Sequence, residues 1–358
     1  MTQNYRKILI VRTDRIGDVI LTLPMARELK KIYPQVQISL LIRQYTAELV
    51  EGDPSVDDVI FYDANGKHRQ LFSLVKTIKE EQFDLVFHTH PIVRLAFITW
   101  CARIPLRIGT GYRWYSFFFN RKIYEHRKYA EHHELEYNLH LLRAIGCDIK
   151  DGTVQPKLSI QKESYERTGS LLNDLGIKNN HRLVILHPGS GRSACDWSAK
   201  HFGVLGKLLS ELPDVKVIIA GGENEQLLMN EVKSYSGDLP VTLVNRLTLK
   251  EYAALLKHAD LVIANSTGPI HIAAAVGVPV IGFYPQIKSM SAARWGPYTG
   301  QKTIFTPESK PVDCKKCLHR KDKSCECMDS ISPGEVLIAA QKMLFEENRE
   351  RMAITDAV

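Results

Sequence analysis

The feature that most constrains this chain is an alternation that runs through it twice. Short apolar, β-rich runs fall at 8–11, 38–42, 59–62 and 85–88, with helical periodicity between or after them at about 18–32, 68–81, 92–102 and 132–146. After 148–181, where the rhythm breaks around a single amphipathic helix (161–175), a second series begins. Its strand-like runs are 183–186, 215–220, 241–244, 261–264 and 280–284. Its helix-like segments lie near 198–211, 223–235, 248–257, 268–276 and 333–348. Apolar strands alternating with helices form parallel sheets covered on both faces. Two series in 358 residues exceed what one core usually spans. The expectation is therefore an α/β fold of two Rossmann-like doubly wound domains facing a cleft. The first is expected over 1–155, a linker over 156–181 and the second over 182–332. Open α/β sheets hold ligands at the carboxyl ends of their strands.

Composition narrows the setting. With 44% hydrophobic and 24% charged residues the chain is ordinary for a globular protein. No apolar run reaches the length of a membrane span, and M-T-Q-N-Y-R-K-I-L-I-V-R leads straight into a strand without a signal-peptide cleavage region. A cytoplasmic location is expected. The net charge of +7 suits anionic ligands or a negatively charged membrane face and does not by itself imply nucleic acid.

The turns after the strands carry the chemistry. At 260–275, D-L-V-I-A-N-S-T-G-P-I-H-I-A-A-A, a buried strand stops at a polar turn and an Ala-rich helix starts at once. Backbone N–H groups there lack helical partners and the helix dipole adds positive potential, which suits a phosphate or diphosphate. An ordinary capped turn is the alternative. The turn H-P-G-S-G-R-S-A-C-D-W (187–197) offers Ser190 and Arg192 as donors beside glycines, a plausible phosphate cradle. Trp197 reads as a packing residue. G-G-E-N-E (221–225) either binds sugar hydroxyls or caps the following helix. R-L-T-L-K-E (246–251) opens a helix with a capping box, Thr248 to Glu251, and Leu247 either lines a base pocket or packs in the core. The first turn, R-T-D-R-I-G-D-V (12–19), has neither G-x-G-x-x-G nor a Walker pattern. Asp18 there is either a helix cap or a general base.

These pieces resemble glycosyltransferase family 9, the lipopolysaccharide heptosyltransferases. The likeness lies in I-L-I-V-R-T-D-R-I-G-D-V-I-L-T-L-P (8–24), A-R-I-P-L-R-I-G (102–109), H-P-G-S-G-R-S-A-C-D-W (187–197) and N-S-T-G-P-I-H-I-A-A-A-V-G-V-P (265–279). R-W-G-P (294–297) and the cysteine segment leading to C-M-D-S-I-S-P-G-E-V (327–336) extend it over nearly the whole chain. The resemblance implies a GT-B fold and an inverting transfer needing no catalytic metal. The first domain would bind the acceptor, the second a nucleotide sugar, typically an ADP-heptose, and the terminal helix (333–358) would return toward the first domain. Asp18 matches the family's proposed base. Ser190, Arg192, Ser266, Thr267, Gly268, Pro269 and His271 would hold the donor diphosphate, and Glu225 and Leu247 its nucleoside. Two departures fall at the donor site: Ser266 where many members are acidic, and Cys195 where many carry a lysine or arginine. They keep open a same-fold transferase with another donor, such as an N-acetylglucosamine nucleotide, or a nucleotide-sugar-binding scaffold without turnover.

The stretch 103–128 interleaves cations with aromatic residues. It reads either as a packed helix with a basic edge or as a face for an anionic glycolipid at the inner membrane surface, with Arg15, Arg113, Arg121 and Lys122 toward acceptor or membrane. No nucleic-acid motif frames it. Cys314, Cys317, Cys325 and Cys327 form C-x2-C-x7-C-x-C, which fits a structural zinc site, with thiols or a disulfide as the alternative. In H-H-E-L-E-Y-N-L-H (132–140) the H-E-x-x-H pattern is absent, which removes a zinc-protease reading.

Overall fold

A computed structural model describes residues 4–191, 195–244, 246–308 and 326–346. It divides into two compact units, Met1–Ser159 and Ile160–Val358. Arg192 and three of the four clustered cysteines, Cys314, Cys317 and Cys325, lie outside the described residues.

The first unit is built on Lys7–Val11 (β1), Gln37–Ile42 (β2), Asp58–Phe61 (β3), a two-residue hairpin pair Asp63–Ala64 (β4) and Lys67–His68 (β5), Leu85–His88 (β6), Leu106–Thr110 (β7) and Arg121–Ile123 (β8). Its main sheet runs β3-β2-β1-β6-β7-β8, parallel throughout. The second unit uses Arg182–His187 (β9), Val215–Gly221 (β10), Val241–Val244 (β11), Leu261–Asn265 (β12), Val280–Phe283 (β13) and Lys302–Phe305 (β14). Its sheet runs β11-β10-β9-β12-β13-β14, again parallel. Both sheets thus begin at a central strand, grow outward on one side, then return to fill the other. Two doubly wound α/β units are what the alternation predicts. The order reverses between β1 and β6 in one sheet and between β9 and β12 in the other. Those two places are the switch points where such sheets bind ligands.

The central strands carry the cores. Ile8, Leu9, Ile10 and Val11 are fully buried, as are Leu261 to Ala264. In the second unit Trp197 stacks on Phe283 at 4.3 Å between ring centres, and its indole N–H donates to the Ile331 carbonyl at 2.9 Å. Trp197 is a packing residue. The helix Lys162–Asp174, inside the segment expected as a linker, packs on Leu249–His258 of the second unit, where Tyr165 stacks on His258. In the terminal helix Pro333–Gln341, Val336 and Ala340 join the second unit's core.

Three local expectations need correction. The periodic stretch 18–32 is two helices, Ile16–Ile20 and Leu23–Ile32. Pro24 has no N–H to continue the first helix and instead sits in the first turn of the second. The segment 132–146 is a short helix, Glu134–His140, followed by a 3-10 turn that ends at left-handed Gly146. The stretch 103–128 is not a packed helix. It holds β7 and the edge strand β8, joined through a 3-10 turn at Ser116–Phe118. Tyr115, Phe118 and Phe119 turn inward onto Ala96, while Tyr112, Trp114, Phe117 and Tyr124 stay exposed. Among the described residues, no helix is long and apolar enough to cross a membrane.

Candidate active site

At the first unit's switch point the chain leaves β1 through Arg12, a fully charged side chain that is only 2% exposed. Burying a guanidinium is costly unless its donors are matched. Here Nε donates to Asp14 at 2.8 Å, one terminal nitrogen donates to Asp18, and the other reaches Glu134 at 3.1 Å and Asn138 at 3.3 Å. Glu134 also accepts from Arg127. The cluster therefore sets three carboxylates against two guanidinium groups. His90 Nδ1 lies 3.5 Å from Asp14, but burial and the nearby Arg12 push that imidazole down to about 4, so it adds no positive charge at neutral pH.

This imbalance falls on Asp18. Its carboxyl is pushed up to about 7, first by burial, then by the like charges of Asp14 and Glu134, with Arg12 pulling the other way. A base with its pKa near the operating pH is the one that moves protons most effectively. The position of Asp18 is fixed from two sides. Its backbone carbonyl accepts from the Thr22 hydroxyl at 2.8 Å, and Asn138 Nδ2 donates to Leu21 O at 3.1 Å and to Thr22 Oγ1 at 3.2 Å. Asn138, fully buried, thus ties the short Asp18 helix to the helix that carries Glu134. Of the side chains expected to face acceptor or membrane, Arg15, Arg113, Arg121 and Lys122 are all exposed.

At the second unit's switch point the described polar groups are a helix start, hydroxyls, a buried amide and two carboxylates that already have protein partners. Helix Gly268–Ala275 starts directly after β12, capped by Thr267 in extended conformation, with no hydrogen bond from the Thr267 hydroxyl to the helix. The first-turn amides of such a helix have no partner within it. Asn265, fully buried, welds this turn to its neighbour: Oδ1 accepts from Trp197 N at 2.8 Å, and Nδ2 donates to Pro188 O at 2.7 Å and Trp197 O at 3.2 Å. The two turns expected to share the donor phosphates are therefore held as one piece. Ser190 donates to Asp196 at 2.8 Å. The Tyr284 hydroxyl donates to Trp295 O at 2.9 Å and interacts with the Ser266 side chain. Pro269 and His271 are buried in the helix.

Glu225 belongs to the same rim. Its carboxylate accepts from Gly222 N at 2.8 Å and stands 3.8 Å from His187 Nε2. It lies so close to the loop that a Cβ on Gly189 would be 1.7 Å from its Oε1. Only glycine at 189 lets that carboxylate sit there. Leu247 is half-buried just before the Thr248 cap, whose capping box with Glu251 forms as expected. Cys195, by contrast, packs in the apolar core with Trp197 and Phe202, so its side chain is no surrogate for a diphosphate-binding cation. Cys327 is half-buried and in no disulfide.

Sequence reasoning gives Asp18 a role but none to Arg12, Glu134, Arg127 or Asn138. The one available signal was an arginine ending an apolar strand, I-L-I-V-R.

Two six-stranded, doubly wound α/β units with polar turns at both switch points are the plan of a GT-B glycosyltransferase. The comparisons with known proteins agree. The family model for glycosyltransferase family 9 (heptosyltransferase) matches residues 71–327. A candidate glycosyltransferase of Haemophilus influenzae is 32% identical over 81% of this chain and 86% of its own length. The lipopolysaccharide heptosyltransferase 3 of Escherichia coli K12 is 25% identical over 92% of this chain and 96% of its own. The solved structure of E. coli ADP-heptose lps heptosyltransferase II shares the fold, with a TM-score of 0.78 at 18% identity, over 96% of this chain and 99% of that one. The chain belongs to glycosyltransferase family 9, the heptosyltransferase family, and is a glycosyltransferase.

Proposed function

We propose that the enzyme transfers a heptose from ADP-heptose to an anionic, lipid-linked core saccharide of lipopolysaccharide, with inversion at the anomeric carbon and no metal ion in the transfer step. The observation that carries this reading is the Asp18 carboxyl, buried in Arg12's fork and raised toward neutrality. In the proposed reaction Asp18, ionised, takes the proton of an acceptor hydroxyl. That oxygen attacks the anomeric carbon from the side opposite the diphosphate, and the bond to the diphosphate oxygen breaks, its electron pair leaving with ADP. Backside attack inverts the anomeric configuration. Charge develops on the leaving diphosphate, where helix-leading amides at Thr267 and Gly268, with Ser190 and Arg192, would stabilise it without a divalent ion. Glu225 and Leu247 would hold the nucleoside.

The donor assignment is also supported by the family's heptosyltransferases, one of whose solved members is an ADP-heptose lps heptosyltransferase. For the acceptor, the exposed Trp114 and Phe117 and the exposed Arg113, Arg121 and Lys122 supply apolar and cationic groups suited to an anionic glycolipid at the inner membrane surface. A thermal-shift panel tests the donor: ADP and ADP-heptose should raise the midpoint selectively over UDP, GDP and CMP compounds. A selective rise with UDP-N-acetylglucosamine would replace the donor, and nucleotide binding without turnover of any donor would make the protein a scaffold.

A further inference from the structure

The helix Glu134–His140 turns Glu134 and Asn138 toward Arg12, and its end carries a second group of side chains. His140, whose side chain is fully buried, has both ring nitrogens engaged: Nδ1 is 2.9 Å from Glu125 and Nε2 is 2.7 Å from Asp151. The other oxygen of Asp151 lies 3.0 Å from His132 Nδ1. The two imidazoles meet edge to face, 4.8 Å between ring centres. His132 is steadied from behind, because its backbone N–H donates to the Tyr137 hydroxyl at 3.3 Å.

Two imidazoles aimed at one carboxylate are an unusual way to satisfy a surface aspartate. A single ion pair needs one of them. Two nitrogen donors and one carboxylate oxygen converging on a point make instead a borderline-soft, three-ligand set of the kind that holds zinc or another divalent first-row metal, not calcium or magnesium. The three candidate ligand atoms lie within 4.8 Å of one another. A tetrahedral ion with bonds of about 2.1 Å needs ligand atoms roughly 3.4 Å apart, so closure takes a shift of about 1 Å. The half-exposed His132 and Asp151 can supply it, while buried His140 stays in place. Glu125 then takes the role typical of the partner behind a metal-bound histidine: it accepts from the far ring nitrogen and fixes the tautomer. Arg143 anchors it, with Nη1 3.0 Å from Glu125.

We propose that His132, His140 and Asp151 form a site for a divalent transition-metal ion, with Glu125 orienting His140 from behind. The site lies wholly within the first unit and uses none of the cysteines. Such an ion joins the segment before the helix, the helix end and the turn at Asp151. It therefore braces the helix that holds Glu134 and Asn138 against Arg12, without taking part in the transfer itself.

The test is a titration of metal-stripped, full-length protein with zinc and with cobalt. Zinc should raise the thermal midpoint of the wild type and raise that of His132→Ala or Asp151→Asn less. Cobalt should give the wild type visible d–d absorption that disappears in His132→Ala, with no loss of thiolate-to-metal charge-transfer absorption. That difference spectrum separates this site from the cysteines. Glu125→Gln should weaken zinc binding by about 10–100-fold without abolishing it. Because His132 is half-exposed, the metal-free variant should melt close to the metal-free wild type. Identical cobalt spectra and identical zinc-dependent midpoints in wild type and His132→Ala would overturn the proposal.

Discussion

The two units place their polar groups at the same topological position and equip it in opposite ways. At the first switch point the groups are charged side chains in excess of their counter-charges, buried and crowded until one carboxyl is held near neutrality. At the second, among the described residues, they are a helix start, a buried amide that staples two turns together, a hydroxyl bonded to Asp196, and the Glu225 carboxylate held by a backbone N–H. The first arrangement suits a group that must change its protonation state. The second suits a group that must hold a constant negative charge in a fixed geometry. A shared fold can thus divide acid–base work and anion binding between its two copies.

The largest test of this contrast is Asp18→Asn, which should lower kcat by about 10²–10⁴-fold while leaving ADP binding unchanged by calorimetry. The same variant should be more stable than the wild type. The folded chain binds the Asp18 proton more tightly than the unfolded chain does. Its contribution to stability is therefore full below the ordinary carboxylate value of about 4 and is lost as pH rises through about 7. Asparagine cannot ionise and escapes that loss, so the Tm gain should show above neutral pH and vanish in acid. A Tm gain at every pH would break the link to ionisation.

Next comes Arg12→Met, which leaves Asp14, Asp18 and Glu134 facing each other without the guanidinium that all three contact. It should cost about 3–5 kcal/mol of stability in urea unfolding. Asn265→Ala should cost less, about 2–4 kcal/mol, by leaving buried backbone groups of Trp197 and Pro188 without partners. The pairing of signs sharpens the comparison: Asn265→Ala should weaken ADP binding and leave the pH dependence of kcat untouched. Smallest in energy, the double change Arg113→Glu and Arg121→Glu should reduce cosedimentation with anionic vesicles and leave nucleotide binding as it was. Unchanged cosedimentation would remove the acceptor-face reading.

Much of the second unit's turn chemistry was legible because it is local. The capping box from Thr248 to Glu251, the helix start at Gly268 and the apolar strand before it all lie within a few residues of their own signals. The charged cluster was not, because it is built across distance: Arg12 meets Glu134 over 122 positions and Asn138 over 126. An arginine closing an apolar strand is the one local hint, and it names none of these distant partners. Three outer strands were missed for a different reason. β7, β8 and β14 carry Arg107, Arg121, Lys122 and Lys302 and are only partly buried, so they lack the apolar run that marks an interior strand. Cys195 shows the limit of reading a position from a resemblance, since its side chain packs in the core.

The account stands most directly on the ionisation of Asp18 during transfer, which the pH dependence of the single-turnover rate with saturating ADP-heptose and acceptor measures. The rate should be flat above neutrality and fall by about tenfold per pH unit below an apparent pKa near 7. An acidic limb near 4, or wild-type rates in Asp18→Asn, would contradict it.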